Sequence, residues 1–139
     1  MKHASLYSLL LLVILVFLLT GCSDKSSSLA RTWMVENLKY TKEIPADMQP
    51  AIDNSIAEMR NNFRITYNAD GTYQTIMKEN TLQGKWKLNW NSSKLSVVTN
   101  AGDSKQYDIV KLDESSFIFK ALEGGEEVIF EMVPEKTAQ

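Results

Sequence analysis

Reactive side chains are scarce in this sequence, and their placement limits the chemistry open to it. The 139-residue chain contains one cysteine, Cys22, and one histidine, His3. A single Cys makes neither an internal disulfide nor a four-ligand zinc site. Ser-His-Asp and Cys-His mechanisms need an imidazole base. The one imidazole lies at the extreme N-terminus, so a processed form that loses its first residues loses that chemistry too. The carboxylates add little. Asp113-Glu114 and Glu126-Glu127 are adjacent pairs flanking turns, whereas a general acid needs a carboxyl in a desolvating pocket. Asp70, in Asn68-Ala69-Asp70-Gly71, has the composition of a calcium loop, but the remaining ligands are not at loop spacing, and the segment reads as a hairpin turn. No P-loop, G-x-S-x-G or metal-spaced cluster occurs. No catalytic residue, metal or cofactor is assigned, and a non-enzymatic role is expected. The balance of 15 Lys+Arg against 17 Asp+Glu, net −2, argues against a nucleic-acid partner.

The surroundings of Cys22 give it a role. Lys2 precedes an apolar run from Leu9 to Leu19, 11 residues long. That is about half of the roughly 20 residues needed to span a bilayer, and it fits the apolar region of a secretory signal peptide, about 7–15 residues. The run ends at Thr20-Gly21-Cys22 and gives way to a polar, Ser-rich segment instead of a basic stop-transfer cluster. Leu19-Thr20-Gly21-Cys22 resembles the lipobox of bacterial lipoproteins; the alternative is an ordinary signal peptide with an incidental Cys. The resemblance implies a diacylglyceryl group on the Cys22 thiol, cleavage just before that residue, and acylation of the new N-terminus. The small side chains of Thr20 and Gly21 suit close approach by a protease, and two or more acyl chains give stable anchoring where one is marginal. The implied partner is the membrane and the implied place the bacterial cell envelope. Ser23, in place of Asp, implies the outer membrane. The single acid Asp24 leaves the periplasmic and surface faces both open. Cleavage removes residues 1–21, and with them Lys2 and His3, so the mature chain carries net charge −3 and no histidine.

The chain therefore divides into a signal peptide at 1–21, a lipidated Cys with a flexible tether at 22–28, a folded domain at 29–134 and a polar tail at 135–139. Within the domain, alternation with period 2 predicts eight strands. The first lies within Leu29 to Tyr40, with Trp33 and Val35 on one face. The others contain Phe63–Tyr67, Tyr73–Met77, Trp86–Trp90, Leu95–Thr99, Tyr107–Val110, Phe117–Lys120 and Glu127–Val133. Most connections have hairpin length, and Gly71 suits a positive φ in its turn. The exception is the first connection. There Ile52, Ile56, Met59 and Phe63 recur at spacings of 4, 3 and 4, a helical stripe. Asp47 is the expected N-cap of that helix, and Pro50 falls in the first turn, where its missing N–H is harmless.

Eight antiparallel strands on a short chain predict a mainly β fold, an up-and-down barrel closed on itself, with one helix between the first and second strands. Trp33 near the start of the first strand, Gly84-Lys85-Trp86, and Asn68-Ala69-Asp70-Gly71-Thr72-Tyr73 together resemble the lipocalin-like domains of bacterial lipoproteins. The resemblance implies a container for a small apolar molecule. An eight-stranded barrel is just wide enough to be filled by its own side chains or to hold one small ligand. Aromatic residues dominate the predicted inward face, which favours filling over a pocket. If a pocket exists, Trp33, Tyr67, Tyr73, Trp86, Trp90 and Phe119 are its candidate ligand-binding residues. Trp86 and Trp90 share a face about 13 Å apart, so they cannot sit at one depth. Ile52, Ile56 and Met59 make the helix a plug for one end, a lid over a ligand, or a contact for a partner. The two functional expectations are a lipid-anchored binder of a small apolar ligand and an envelope protein-interaction module with a solid core.

Overall fold

The computed structural model describes residues 25–136; Cys22, the signal peptide and the end of the tail lie outside the described residues. Helix α1 (Lys25–Leu29) leads into β1 (Thr32–Tyr40), followed by helix α2 (Gln49–Asn62) and then β2 (Phe63–Tyr67), β3 (Thr72–Met77), β4 (Asn80–Leu88), β5 (Lys94–Thr99), β6 (Ser104–Leu112), β7 (Phe117–Glu123) and β8 (Glu126–Pro134). Each strand pairs antiparallel with its sequence neighbours, and β8 pairs back with β1, closing an up-and-down barrel. Closure leaves no free edge along the strand order. The mainly β fold, the strand count and the helix between β1 and β2 agree with the sequence reading.

The turns follow from local chemistry. At 68–72 the Asp70 carboxylate accepts from the backbone N–H (2.9 Å) and hydroxyl (2.6 Å) of Thr72, while Gly71 takes φ 88°. The Asp70 carboxyl is held below its ordinary pKa by these bonds. It is a turn residue, as expected. Asp113 does the same work for Ser115. Glu126 and Glu127 reach Lys42 and Lys120 on the exterior.

Four expectations need correction. Met48, not Asp47, occupies the N-cap of α2, with no side-chain cap bond; Pro50, the second helical residue, lies in the first turn as expected, where its ring is already set for helical φ. The tether is not loose up to Ser28: residues from Lys25 form α1, Lys25 Nζ donates to the Leu112 carbonyl at 2.9 Å, and Leu29 is fully buried. The tail is anchored at its start, where the Glu135 N–H donates to the Thr32 carbonyl at 2.9 Å and its carboxylate accepts from Arg64 Nε at 2.9 Å. Finally, Trp90 does not face inward. β4 ends at Leu88, and the Asn89 side chain accepts from the Ser93 and Lys94 N–H groups, turning the chain before Trp90 can continue the alternation. Trp90 is 94% exposed.

Two bulges set what faces the core. One lies between Val35 and Asn37 in β1 and one between Ile109 and Lys111 in β6. An extra residue shifts the side-chain phase by one position. Leu38 and Tyr40, not Asn37, therefore continue the inward face begun by Trp33 and Val35, and Val110 is turned outward.

Candidate ligand cavity

The barrel has one sealed end and one open end. At the sealed end, Leu29 from α1 covers Trp33, whose Nε1 donates to the Leu29 carbonyl at 3.0 Å. Arg31 lies over the Trp33 ring, 5.8 Å from its centroid, and donates to the Glu114 carbonyl at 2.6 Å. Trp33 packs on Phe117 with ring centroids 5.5 Å apart. Trp86 is pinned by a bond from its Nε1 to the Asn68 carbonyl at 2.9 Å. Leu95 and Met132 complete a dry floor. Trp33 and Trp86 are thus packing residues of the floor, where a buried indole N–H has to find an acceptor.

Above the floor the interior opens into a cavity of about 440 Å³, within the usual range for small-molecule sites. Its walls include Tyr67, Tyr73, Val97, Tyr107, Phe119 and Phe130, and its rim carries Tyr40, Asp103, Lys105 and Glu123. The interior is therefore neither solid nor hollow. The aromatic residues expected to fill it do so only in the lower half. Phe117 stacks on Phe119 at 4.8 Å along β7, Phe119 on its cross-strand partner Phe130 at 5.0 Å, and Phe117 meets Tyr67 across the interior at 6.2 Å.

Of the six predicted ligand-binding residues, the fold brings Tyr67, Tyr73 and Phe119 to the cavity. Trp33 and Trp86 lie in the floor, and Trp90 is outside on the 89–93 turn. Of the three predicted lid residues only Met59 reaches the cavity wall. Ile56 is buried and Ile52 partly buried against the core, because α2 fills a gap in the wall. β1 pairs with β2 only from Thr32 to Met34, and beyond that point α2 lies beside β1. Arg60 Nε donates to the Glu36 carbonyl at 2.8 Å, supplying a partner that β2 does not, and Glu58 pairs with Lys78 beyond β3. The residues missed by the sequence reading include Leu38 and Tyr40, hidden by the β1 bulge, Thr75, Leu82, Thr99 and Ala121, and the rim charges Asp103, Lys105 and Glu123. The three-residue spacing of Val35 and Leu38 was the available signal.

Gly84 makes the wall possible. A Cβ there would lie 2.0 Å from the Val98 carbonyl oxygen, 2.8 Å from a Tyr73 ring carbon and 2.9 Å from the Thr99 Cα. The absent side chain lets the Tyr73 ring lie across β4.

Burial fixes the protonation state of the phenols. The Tyr67 pKa is raised well above 10.0, first by burial and then by Tyr107 and Tyr73. Tyr107 is raised to about 12, first by burial and then by Glu123 and Tyr73. All three are neutral hydroxyls at physiological pH.

A closed antiparallel barrel with one sealed and one open end is the lipocalin-like architecture. Solved structures agree. The chain is similar to a lipocalin-like protein from Bacteroides uniformis (TM-score 0.52, 11% identity, covering 78% of this chain and 99% of that one). It is also similar to a DUF4847 family protein from Bacteroides vulgatus (TM-score 0.52, 17% identity, 82% and 99% covered). A third likeness is to a protein from Bacteroides uniformis solved by NMR (TM-score 0.51, 14% identity, 81% and 93% covered). At these identities the likeness is one of fold. No family model and no curated protein matches the chain.

Proposed function

We propose that this protein is a lipid-anchored, non-enzymatic barrel of the bacterial cell envelope that binds a small apolar molecule in its open end. One observation carries the binding half of this reading: a continuous, largely apolar cavity of about 440 Å³ with a sealed floor. Burial of apolar ligand surface against its walls supplies roughly 25 cal/mol per Å². A role without catalysis is supported by the placement of acids, since Asp103 and Glu123 lie exposed at the rim and the depth of the cavity is apolar and phenolic. The rival reading, an interaction module with a solid core, is disfavoured by the same cavity. Attachment through Cys22, and an outer-membrane position, rest on Leu19-Thr20-Gly21-Cys22 and Ser23.

Native mass spectrometry of protein taken from its own cells tests the binding half. An adduct that dissociates on denaturation is expected, and its loss when the cavity is filled by Met59→Trp identifies the site. An adduct-free protein that also takes up no apolar fluorophore refutes the reading. Metabolic labelling with a fatty-acid precursor tests the anchor. Label should vanish in Cys22→Ala, and label that persists there refutes the lipobox assignment.

A further inference from the structure

The cavity is apolar in its walls but not in its hydrogen-bonding capacity. Tyr67 and Tyr73 are 2% and 4% exposed, their rings 6.2 Å apart, and Tyr107 faces the same space. Among the described residues, no protein group is hydrogen-bonded to any of the three hydroxyls, and none of the three is sealed off from the cavity space; the buried side-chain polar atom without a partner is Arg31 Nε, while the Trp33 and Trp86 indoles each reach a carbonyl. These hydroxyls are therefore open to whatever occupies the chamber and free to donate to it, whereas a wall of Phe would offer no donor. The three phenols share one lining, with Tyr107 packed on Phe119 at a ring-centroid distance of 5.1 Å. They form a neutral donor cluster at the side of an apolar chamber. The only charges on the lining are at its rim: two acids and one base, Asp103, Glu123 and Lys105. A buried carboxylate ligand finds no counter-charge at depth, and an isolated buried charge is prohibitive.

We propose that the cavity selects an uncharged apolar molecule that carries a hydrogen-bond acceptor oxygen, such as a ketone, quinone or ester carbonyl, and that this oxygen is received by the hydroxyls of Tyr67, Tyr73 and Tyr107. The proposal rests on the binding reading above and names the ligand class.

Three probes of one shape test it: acetylnaphthalene, the hydrocarbon isopropylnaphthalene and naphthoate. Their dissociation constants are measured on the wild-type protein and on Tyr67→Phe, Tyr73→Phe and Tyr107→Phe, each of which keeps its ring. Thermal melts verify the fold of each variant. At least one variant should weaken the ketone about fivefold or more while leaving the hydrocarbon unchanged, and the carbonyl stretch of the bound ketone should rise in that variant. Naphthoate should bind the wild type more weakly than the ketone. Ketone affinity and carbonyl stretch that are the same in all three variants, or tighter binding of naphthoate, overturn the proposal while leaving the cavity a binding site. Failure of all three probes to bind the wild type refutes the binding reading itself and this proposal with it.

A second observation stands apart from the cavity. Trp90, 94% exposed, sits on the 89–93 turn at the sealed end. That turn borders a hollow shared by Lys25, Asn91, Ser93 and Val110, and Val110 is 56% exposed. Cys22 precedes Lys25 by three residues, a reach of about 10 Å at full extension. If the acyl chains are on Cys22, the sealed end lies within that reach of the bilayer. An exposed indole there has the amphipathic character that favours the headgroup boundary. We infer that Trp90 inserts into the membrane interface, so that the barrel stands with its mouth away from the lipid. The inference rests on the lipid anchor. The test uses lipidated protein extracted from membranes and reconstituted in phosphatidylethanolamine/phosphatidylglycerol vesicles containing brominated acyl chains. Bromine should quench a part of the tryptophan emission that is absent in Trp90→Phe, because Trp33 and Trp86 are buried. Equal fractional quenching in both proteins, or none, overturns the inference. Protein that does not float with the vesicles removes the anchor on which it rests and overturns it as well.

Discussion

Replacing Gly84 with alanine tests the geometry of the cavity wall at one atom. The added Cβ meets the Val98 carbonyl oxygen at 2.0 Å, a Tyr73 ring carbon at 2.8 Å and the Thr99 Cα at 2.9 Å. Two of these three atoms belong to the β5 backbone, which cannot turn aside as a flexible side chain can. β4 must separate from β5 around the Gly84–Thr99 pair, and the Tyr73 ring must leave its place over the glycine. Overpacking of this kind costs about 1–3 kcal/mol, with backbone contacts at the upper end. Removing glycine from a strand returns roughly 0.5–1 kcal/mol of chain entropy. A net loss of about 2 kcal/mol corresponds to a fall in Tm of roughly 8 °C for a domain of this size. Because Tyr73 lines the cavity, the affinity for an apolar fluorophore should fall as well. Gly71→Ala is the control. Its φ of 88° strains any L-residue, but its Cβ meets nothing nearer than 3.8 Å. It should lose about 1–2 kcal/mol and keep fluorophore affinity. Melting curves followed by circular dichroism, with fluorophore titrations, measure both quantities. A Gly84→Ala protein as stable as the wild type, or one that loses stability with unchanged fluorophore affinity, refutes the argument that this glycine shapes the wall.

Met59→Trp places a larger side chain against the cavity without touching the floor; fluorophore affinity should drop about tenfold or more while Tm stays within a few degrees, and unchanged affinity would locate the fluorophore elsewhere. Trp33→Phe removes one of two donors to the Leu29 carbonyl, which keeps the Arg31 N–H at 2.7 Å, so the lost bond costs about 0.5–1.5 kcal/mol in denaturant titrations; a neutral result would mean that α1 is not held by this bond. The phenols set the alkaline limit. Tyr107 ionises at 10.0 in the unfolded chain and at about 12 in the barrel, and Tyr67 is shifted in the same direction. Both bind their protons more tightly when folded, so stability is full below pH 10 and is lost as pH rises from 10 through 12. Tyr107→Phe should flatten that decline, and equal declines in the two proteins would contradict the assignment.

Local pattern made much of this protein legible in advance. Phe63–Tyr67 alternates cleanly and is β2; Asn68-Ala69-Asp70-Gly71 is a turn because Asp70 and Gly71 each satisfy a backbone requirement within four residues. The stripe of Ile52, Ile56 and Met59 is a helix because its spacing matches no strand. Where the reading failed, a contact distant in sequence had intervened. Trp90 continues the β4 alternation on paper, but the Asn89 side chain ends the strand two residues earlier. The Ser-rich segment up to Ser28 looks unstructured by composition, but Leu29 draws it onto Trp33, and Lys25 reaches Leu112, 87 positions away. The β1 bulge exchanged Asn37 for Leu38 and Tyr40, and no period-2 count anticipates an extra residue.

Hydrophobic period and turn chemistry act over a few residues, so the eight strands, most of their turns and the helix α2 are already written in the amino-acid order. The sequence also carries the lipobox-like Leu19-Thr20-Gly21-Cys22, the feature behind the proposed anchor. Whether the barrel is full is a matter of three-dimensional packing. That depends on the depth to which each inward ring points, which bulges, the Gly84 contact and the packing of Phe117, Phe119 and Phe130 on the β7–β8 wall settle together. The same inward-facing residues therefore divide into a solid floor and an open chamber. The three phenols meet at its wall because barrel closure brings β2, β3 and β6 around one space.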